Sequence, residues 1–511
     1  MYRWALRSTA CLGILIGFAF FTLSCGKVTS SVGFGSTTGT GYVFIGDAPP
    51  AGSSILKFQI TLSNATLCPT VSSGGECQGT SPVSLLSAPV TIELKQLELG
   101  SAFLSKNTFA TGTYAGVKLT FSNPVVKVLN TDGTIQELNG TSLPLSPVSV
   151  TPTFSTPLTV TADNIFSFVL DLDVNNSIQS SNGAITGIAP AVSLVPLSVA
   201  ASQPVTDLQD TAGVVAGLTK TCPTGSFSLV DSKTGISIAS IQFDGTSAFD
   251  TGLSCDTLAN NQVIEADLVL QAQSQQAVQF FANRLELLNL STDQTLRGAI
   301  VKVNAFDQVN NKYSFVLLVQ EARNVAAFTD GALVTVNIDP TKAVFSIDQG
   351  TLTVDPTLFA SGTDLLAGQN VEIILQNGSV VNGTNNNCAA ISDACSAGAL
   401  TIRLMKDNLT ASVQGTKTPN FTLTSLPSVF GTFTLLRPLS ADCQDCSIST
   451  AIVTTSNQTA FEGGLTSFSD LQIGYAVTVR GLLFKNGFKG PGPIGNGSPT
   501  LVASKVRLMT P

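Results

Sequence analysis

Histidine is absent from the 511-residue chain. Without imidazole there is no Ser-His-Asp relay, no His-ligated zinc and no side chain that ordinarily titrates near neutrality. Tryptophan occurs once, at Trp4, so a carbohydrate groove built on indole stacking is excluded and only Phe and Tyr remain for that task. Charge is scarce: Asp, Glu, Lys and Arg make up 11% of residues, against about 25% in ordinary soluble domains. The formal balance is −8, and no run of Lys or Arg stands anywhere as a phosphate footprint. Nucleic acid is therefore not an expected partner.

What fills the gap is apolar and neutral-polar. Hydrophobic residues are 43% of the chain, with 44 Gly and 23 Pro, and the polar surface falls to Ser, Thr, Asn and Gln. Alternating Val, Ile, Leu and Thr between Gly- and Pro-rich turns reads as an exported all-β protein rather than a disordered one. The length exceeds one hydrophobic core and implies three or four domains. The expected fold class is an N-terminal β-sandwich followed by three small OB-like β-barrels.

The first 25 residues carry the strongest single signal. Arg3 and Arg7 precede an apolar run from Ala10 to Leu23, which stops at Ser24-Cys25-Gly26. A basic start, a short apolar stretch and a small residue before the break describe a secretory leader. Cys25 after Ser24 resembles the lipobox of bacterial lipoproteins, in which the thiol is acylated. Thr22 and Leu23 depart from the usual order of that box, so plain cleavage and an uncleaved anchor stay open. The apolar run is short of the ~20 residues a spanning helix needs. Two or more acyl chains on Cys25 would hold the protein to a membrane. Gly26 in place of Asp resembles the outer-membrane sorting choice, which implies an outer-membrane lipoprotein of the bacterial cell envelope.

Apart from Cys11 and Cys25, eight cysteines fall into local pairs: Cys68/Cys77, Cys222/Cys255, Cys388/Cys395 and Cys443/Cys446. Eight thiols allow 105 connectivities, but each local pair stays within one expected domain, and an oxidising compartment would make them disulfides. Cys443-Gln-Asp-Cys446 has redox-motif spacing. Asp442 and Asp445 would raise its thiol pKa and no helix follows, so a structural bridge is the better reading. No second such pair exists to complete a zinc site.

Seven segments follow from the pattern: a leader at 1–25, a Ser/Thr/Gly stalk at 26–40, a sandwich at 41–200, a linker at 201–211, and barrels at 212–294, 295–407 and 408–511. In the sandwich, Val125–Leu129, Thr131-Asp132-Gly133 and Ile135–Leu138 spell a hairpin. Segment 166–174 places Phe166, Phe168, Leu170, Leu172 and Val174 on one face, with Asp171 and Asp173 on an opposite, wetter face. Gly41 to Pro49 resembles the opening strand and Asp-Ala-Pro turn of domain-of-unknown-function family 4382, found in bacterial lipoproteins. The stretches Ala110–Leu119, Leu170–Ile178 and Gly183–Leu194 agree with it in order. The resemblance covers about a third of the chain, departs at the Cys68/Cys77 loop, and implies fold and location but no reaction.

The barrels repeat loosely. Thr246-Ser-Ala-Phe249, Pro356-Thr-Leu-Phe359 and Gln458-Thr-Ala-Phe461 align as landmarks, followed by segments starting at Leu258, Leu366 and Leu471. The units close on strands Ala282–Leu288, Leu400–Leu404 and Leu501–Leu508. The third unit resembles domain-of-unknown-function family 5666, which implies a small OB-like barrel. Gln376-Asn-Gly-Ser379 after Glu372–Leu375 is a further hairpin signal, and 384–398 reads as a loop tied by Cys388/Cys395.

Candidate sites are few. Asp171, Asp173 and Asn175 are the best set of hard oxygen ligands, enough to name calcium as a possible cofactor, although the pattern lacks the EF-hand glycine and terminal Glu. Asp47 before Ala48-Pro49 reads as a turn former. Glu93 and Glu98 lack the stacking aromatics a glycosidase pair would need. Neither Gly74-Gly75-Glu76 nor Gly235-Ile-Ser237-Ile-Ala239 makes a nucleophile elbow. The expected function is thus a non-enzymatic, lipid-anchored binding or scaffolding array, meeting envelope polysaccharide or protein. A secreted carboxylate- or serine-dependent hydrolase and a calcium-stapled adhesin are the alternatives.

Overall fold

The computed structural model describes residues 37–508 except 49–54, 80–81, 98–100, 130–134, 140–146, 182–183, 198–206, 232–235, 274–275, 289–292, 384–387, 389–392, 418–419, 425–449, 486–498 and positions 251, 330 and 351. The leader with Cys25, the Cys443/Cys446 pair and Glu98 lie outside the described residues, as do the side chains of Asp47 and Asn175.

The chain is all-β: a two-sheet sandwich followed by three small closed barrels. The first sandwich strand, Thr38–Ala48, opens inside the segment read as stalk. It runs parallel to Ile165–Asp173 and antiparallel to Ser101–Ala110, which ends the sheet on that side. Ala191–Leu197 closes the other edge. The facing sheet is built on the long antiparallel pair Ile55–Cys68 and Gly112–Leu129. The hairpin pairing is present, with Val126 opposite Leu138.

Period-two alternation decides which faces meet. Phe166, Phe168, Leu170, Leu172 and Val174 all lie in the core between the two sheets, with Val43, Ile45 and Phe58. The opposite face is not the wet face expected. Ser167 is 1% exposed, and Val169, Tyr42, Phe44 and Phe103 join the core of the first barrel. Both faces of the four-stranded sheet are thus covered, which a period-two reading of one strand cannot reveal, because the covering groups come from elsewhere in the chain.

The barrels share one topology. In each, five strands take the spatial order third, second, first, fourth, fifth, and the third pairs with the fifth to close the wall. In the first barrel these are Asp207–Thr221, Thr224–Asp231, Ser237–Phe243, Val263–Gln273 and Gln276–Leu287. The second runs from Thr295–Val303 to Ser396–Met405, and the third from Asp407–Lys417 to Thr500–Leu508. A short sixth strand adds parallel to each fifth strand. Closure leaves no open edge in the wall.

The same backbone bonds recur at the turn before each fourth strand. Asn261, Gly368 and Gly474 donate N–H to the carbonyls of Val215, Ile300 and Val413, whose own N–H groups bond Gln262, Gln369 and Tyr475. All three donors sit at positive φ, 68°, 98° and 91°, a conformation that Gly and Asn adopt most readily.

That geometry corrects the repeat alignment in the second barrel. Leu365, not Leu366, stands where Leu258 and Leu471 stand, three residues before the left-handed turn. Phe249 and Phe461 lie on short sixth strands, and their counterpart is Phe345 on Val344–Ile347. Phe359 instead ends an inserted 3-10 turn, Pro356–Phe359, capped by Asp355, and packs against Phe345 with ring centres 5.5 Å apart. The first barrel begins at Asp207, inside the expected linker, because Leu208 already pairs with Leu268 of its wall. The 376–379 turn forms, but no strand follows at once: Val381 makes one isolated bridge to Ser396.

Candidate functional site: a slot between sandwich and first barrel

The unexpected burial of the outer sheet face builds the candidate site. Tyr42, Phe44 and Phe103 project from neighbouring strands toward the first barrel because they share one parity of the pleat. Phe280, on the fifth strand of that barrel, meets all three edge-on: its ring centre lies 5.4 Å from Phe103, 6.2 Å from Phe44 and 6.1 Å from Tyr42, with interplanar angles of 75–84°. Beside this cluster runs a cavity of about 440 Å³, within the range of ligand pockets, which favour domain junctions.

One wall of the cavity is the edge-strand run Phe103–Asn107, the other is Leu85–Val90, and Ile236, Ser237 and Phe280 of the first barrel close the floor. Lys106 lies above the Tyr42 ring, its Nζ 5.2 Å from the ring centre. The amide of Asn107 donates from Nδ2 to the Leu85 carbonyl across the slot at 3.4 Å.

A second concentration of chemistry lies where the first and second barrels touch. Arg284 is 1% exposed. Its Nε donates to Asp250 at 2.6 Å, its Nη2 lies 3.0 Å from Asp348 of the second barrel, and Glu286, Asp267 and Glu265 surround the rest. Arg403 of the second barrel donates to Glu286 and sits 3.2 Å from Asp348. Burial works against the Arg284 charge, but the carboxylates of Asp348, Asp267 and Glu286 outweigh it and hold the pKa above its ordinary value. Burial raises Glu286 above the usual carboxylate range, opposed by Arg403 and Arg284. Five carboxylates thus meet two guanidiniums across the junction.

Of the oxygen ligands named from sequence, Asp171 and Asp173 bond to different partners. Asp171 faces Arg507 of the third barrel, 3.3 Å away, and burial raises its pKa against that cation. The Asp173 carboxylate instead accepts from the backbone N–H and the side-chain amide of Asn176, at 3.0 and 2.6 Å. Among the described residues no group of three or more His, Cys, Asp or Glu is placed to hold a metal. Glu93 accepts from the Phe58 N–H at 2.9 Å, a structural bond. Disulfides join Cys68 to Cys77, Cys222 to Cys255 and Cys388 to Cys395.

Sequence reading missed both the slot and the Arg284 network. The slot draws on five separated stretches, and its only sequence trace is the aromatic content of Tyr42, Phe44 and Phe103. The Arg284 network did leave a signal: Glu265, Asp267, Arg284 and Glu286 are charges at alternate positions of two strands in a chain otherwise poor in charge.

A model of the family described as Domain of unknown function (DUF4382) matches residues 38–187. The matched span holds three strands of the four-stranded sheet and, with Tyr42 and Phe44–Phe103, most of the slot. No curated protein matches the chain.

Proposed function

We propose that this chain is an exported cell-envelope protein, lipid-anchored at Cys25 on the outer membrane, that works without catalysis as a binding and scaffolding array. The observation that carries the reading is the state of its thiols. Every cysteine among the described residues is in a disulfide, one in the sandwich and one in each of the first two barrels. Bridges spread over separate units suit an oxidising compartment, and the leader-like first 25 residues supply the route there. The 5666-type identity of the barrels belongs to the same reading, supported by their shared left-handed turn and closure. The slot is the binding element, with envelope protein or polysaccharide as the partner classes.

The array is a compact one. The first barrel packs on the sandwich through Phe280, and the second meets the first through Arg403. The third buries Leu482, Phe484 and Val502 against the second and returns to the sandwich through Arg507. Metabolic palmitate labelling in an expressing bacterium tests the anchor: label should appear on the wild-type chain and vanish in Cys25→Ser, which should leave the membrane fraction. Unlabelled protein in the cytosol with free thiols would overturn the reading.

A further inference from the structure

We infer that the slot takes an extended, carboxylate-bearing peptide segment, which adds as a strand to the free edge at Ser101–Ala110. The inference rests on the binding reading above and names its partner.

The shape of the walls comes first. Side chains of a strand alternate between faces, so a cavity lined by alternate residues lies over a face. Here the lining residues are consecutive, Phe103 through Asn107 on one wall and Leu85 through Val90 on the other. A cavity touched by consecutive residues runs along the strand's edge, between two stretches of backbone. That is the space an added strand occupies.

The backbone chemistry agrees. Among the described residues Ser101–Ala110 pairs only with Thr38–Ala48, and the first barrel's opening strand, Asp207–Thr221, approaches it without pairing. The Thr111 N–H bonds the Thr37 carbonyl, and alternation from there turns the N–H and C=O of Lys106 and Thr108 away from the sheet. Among the described residues no backbone partner meets them. An unpaired edge of this kind is the template for strand addition, in which main-chain bonds provide affinity and pockets select side chains. The Leu85 carbonyl offers an acceptor on the opposite wall, now taken by Asn107.

The floor and the charge select the occupant. Tyr42, Phe103 and Phe280 are 4%, 8% and 3% exposed and pack edge-on, so they offer no ring face for a sugar to stack on. They do offer apolar surface for a side chain. Among the described residues Lys106 is the one charged residue lining the slot, on a chain whose balance is −8, and it selects a carboxylate.

The test uses the full chain and a short fluorescein-labelled peptide that alternates Val and Thr around a central Asp, titrated by fluorescence polarisation. Saturable binding is expected, with slowed amide hydrogen exchange across 101–110. Methylating alternate backbone nitrogens of the probe removes the edge bonds and should weaken binding about tenfold. Lys106→Pro, tolerable on an edge strand, should cost about tenfold as well, and Lys106→Met about two- to fivefold. Equal binding of the methylated probe, or unchanged exchange at 101–110, would overturn strand addition. An apolar dye, anilinonaphthalene sulfonate, separates the two levels of the account. Dye binding that Phe280→Ala removes, with no peptide binding, retains the slot as a binding site and rejects the peptide. Failure of both probes rejects the binding reading itself.

Discussion

The first and third barrels reverse the charge at two matching points of the same wall, Asp267 against Arg480 and Glu286 against Arg507, while Arg284 and Lys505 share theirs. In the first, the register pairs Arg284 with Asp267 and Glu286 with Glu265. In the third, the matching pairs are Lys505 with Arg480 and Arg507 with Thr478. The interiors behind these positions are alike, Leu285 and Val506 facing into their cores. The difference follows what each outer face meets: an acid-rich face meets Arg403 of the second barrel, and a basic face meets Asp171 of the sandwich. Closing the barrel is thus a matter of the inner parity, and docking is a matter of the outer one. Four units can then pack into one body from a repeated plan.

The comparison can be broken at its most buried point. Arg284→Ala leaves Asp250, Glu265, Asp267, Glu286 and Asp348 facing one another with Arg403 as the remaining guanidinium, and should cost about 3–5 kcal/mol in urea unfolding. The bridges give the next largest effect. Serine replacement of Cys222 and Cys255, whose loop spans 33 residues, should cost about 3–4 kcal/mol, and the same change at Cys388 and Cys395, spanning 7, about 2.

The pH dependence sharpens the contrast. Glu286 and Asp171 hold their protons more tightly folded than unfolded. The folded state is then the better proton binder, so stability should rise as pH falls from neutral toward the ordinary carboxylate values of 4.5 and 3.8. Melting temperatures across that range should show the rise, and Glu286→Gln should flatten it more than Asp171→Asn. The smallest effect belongs to the third barrel: Arg507 is part-exposed against Asp171, and Arg507→Ala should cost under about 1 kcal/mol.

What the sequence shows of this molecule tracks the range of its interactions. The core face of 166–174 is legible because five apolar residues alternate along one strand and into the helical turn that follows it. The role of Asp171 is not, because its partner lies 336 residues away. The left-handed turns are legible where glycine stands, at Gly368 and Gly474, and only half so at Asn261. Phe359 misleads because Pro-Thr-Leu-Phe imitates the landmark of the other repeats, while the true counterpart, Phe345, sits on a four-residue strand with no turn signature. Beyond the aromatics Tyr42, Phe44 and Phe103 the slot escapes sequence reading: one wall is a stretch of irregular chain between Val83–Ser84 and Val90–Glu93, and its floor belongs to another unit.

That the units form one body through charge placed on outer wall positions is tested most directly by a double-mutant cycle across the first two barrels. Glu286→Gln, Arg403→Gln and the double variant would be compared with wild type by urea unfolding. A coupling of about 1.5 kcal/mol or more between residues on separate barrels is the predicted result. Additive losses, with no coupling, would contradict the account and leave the barrels as independent beads.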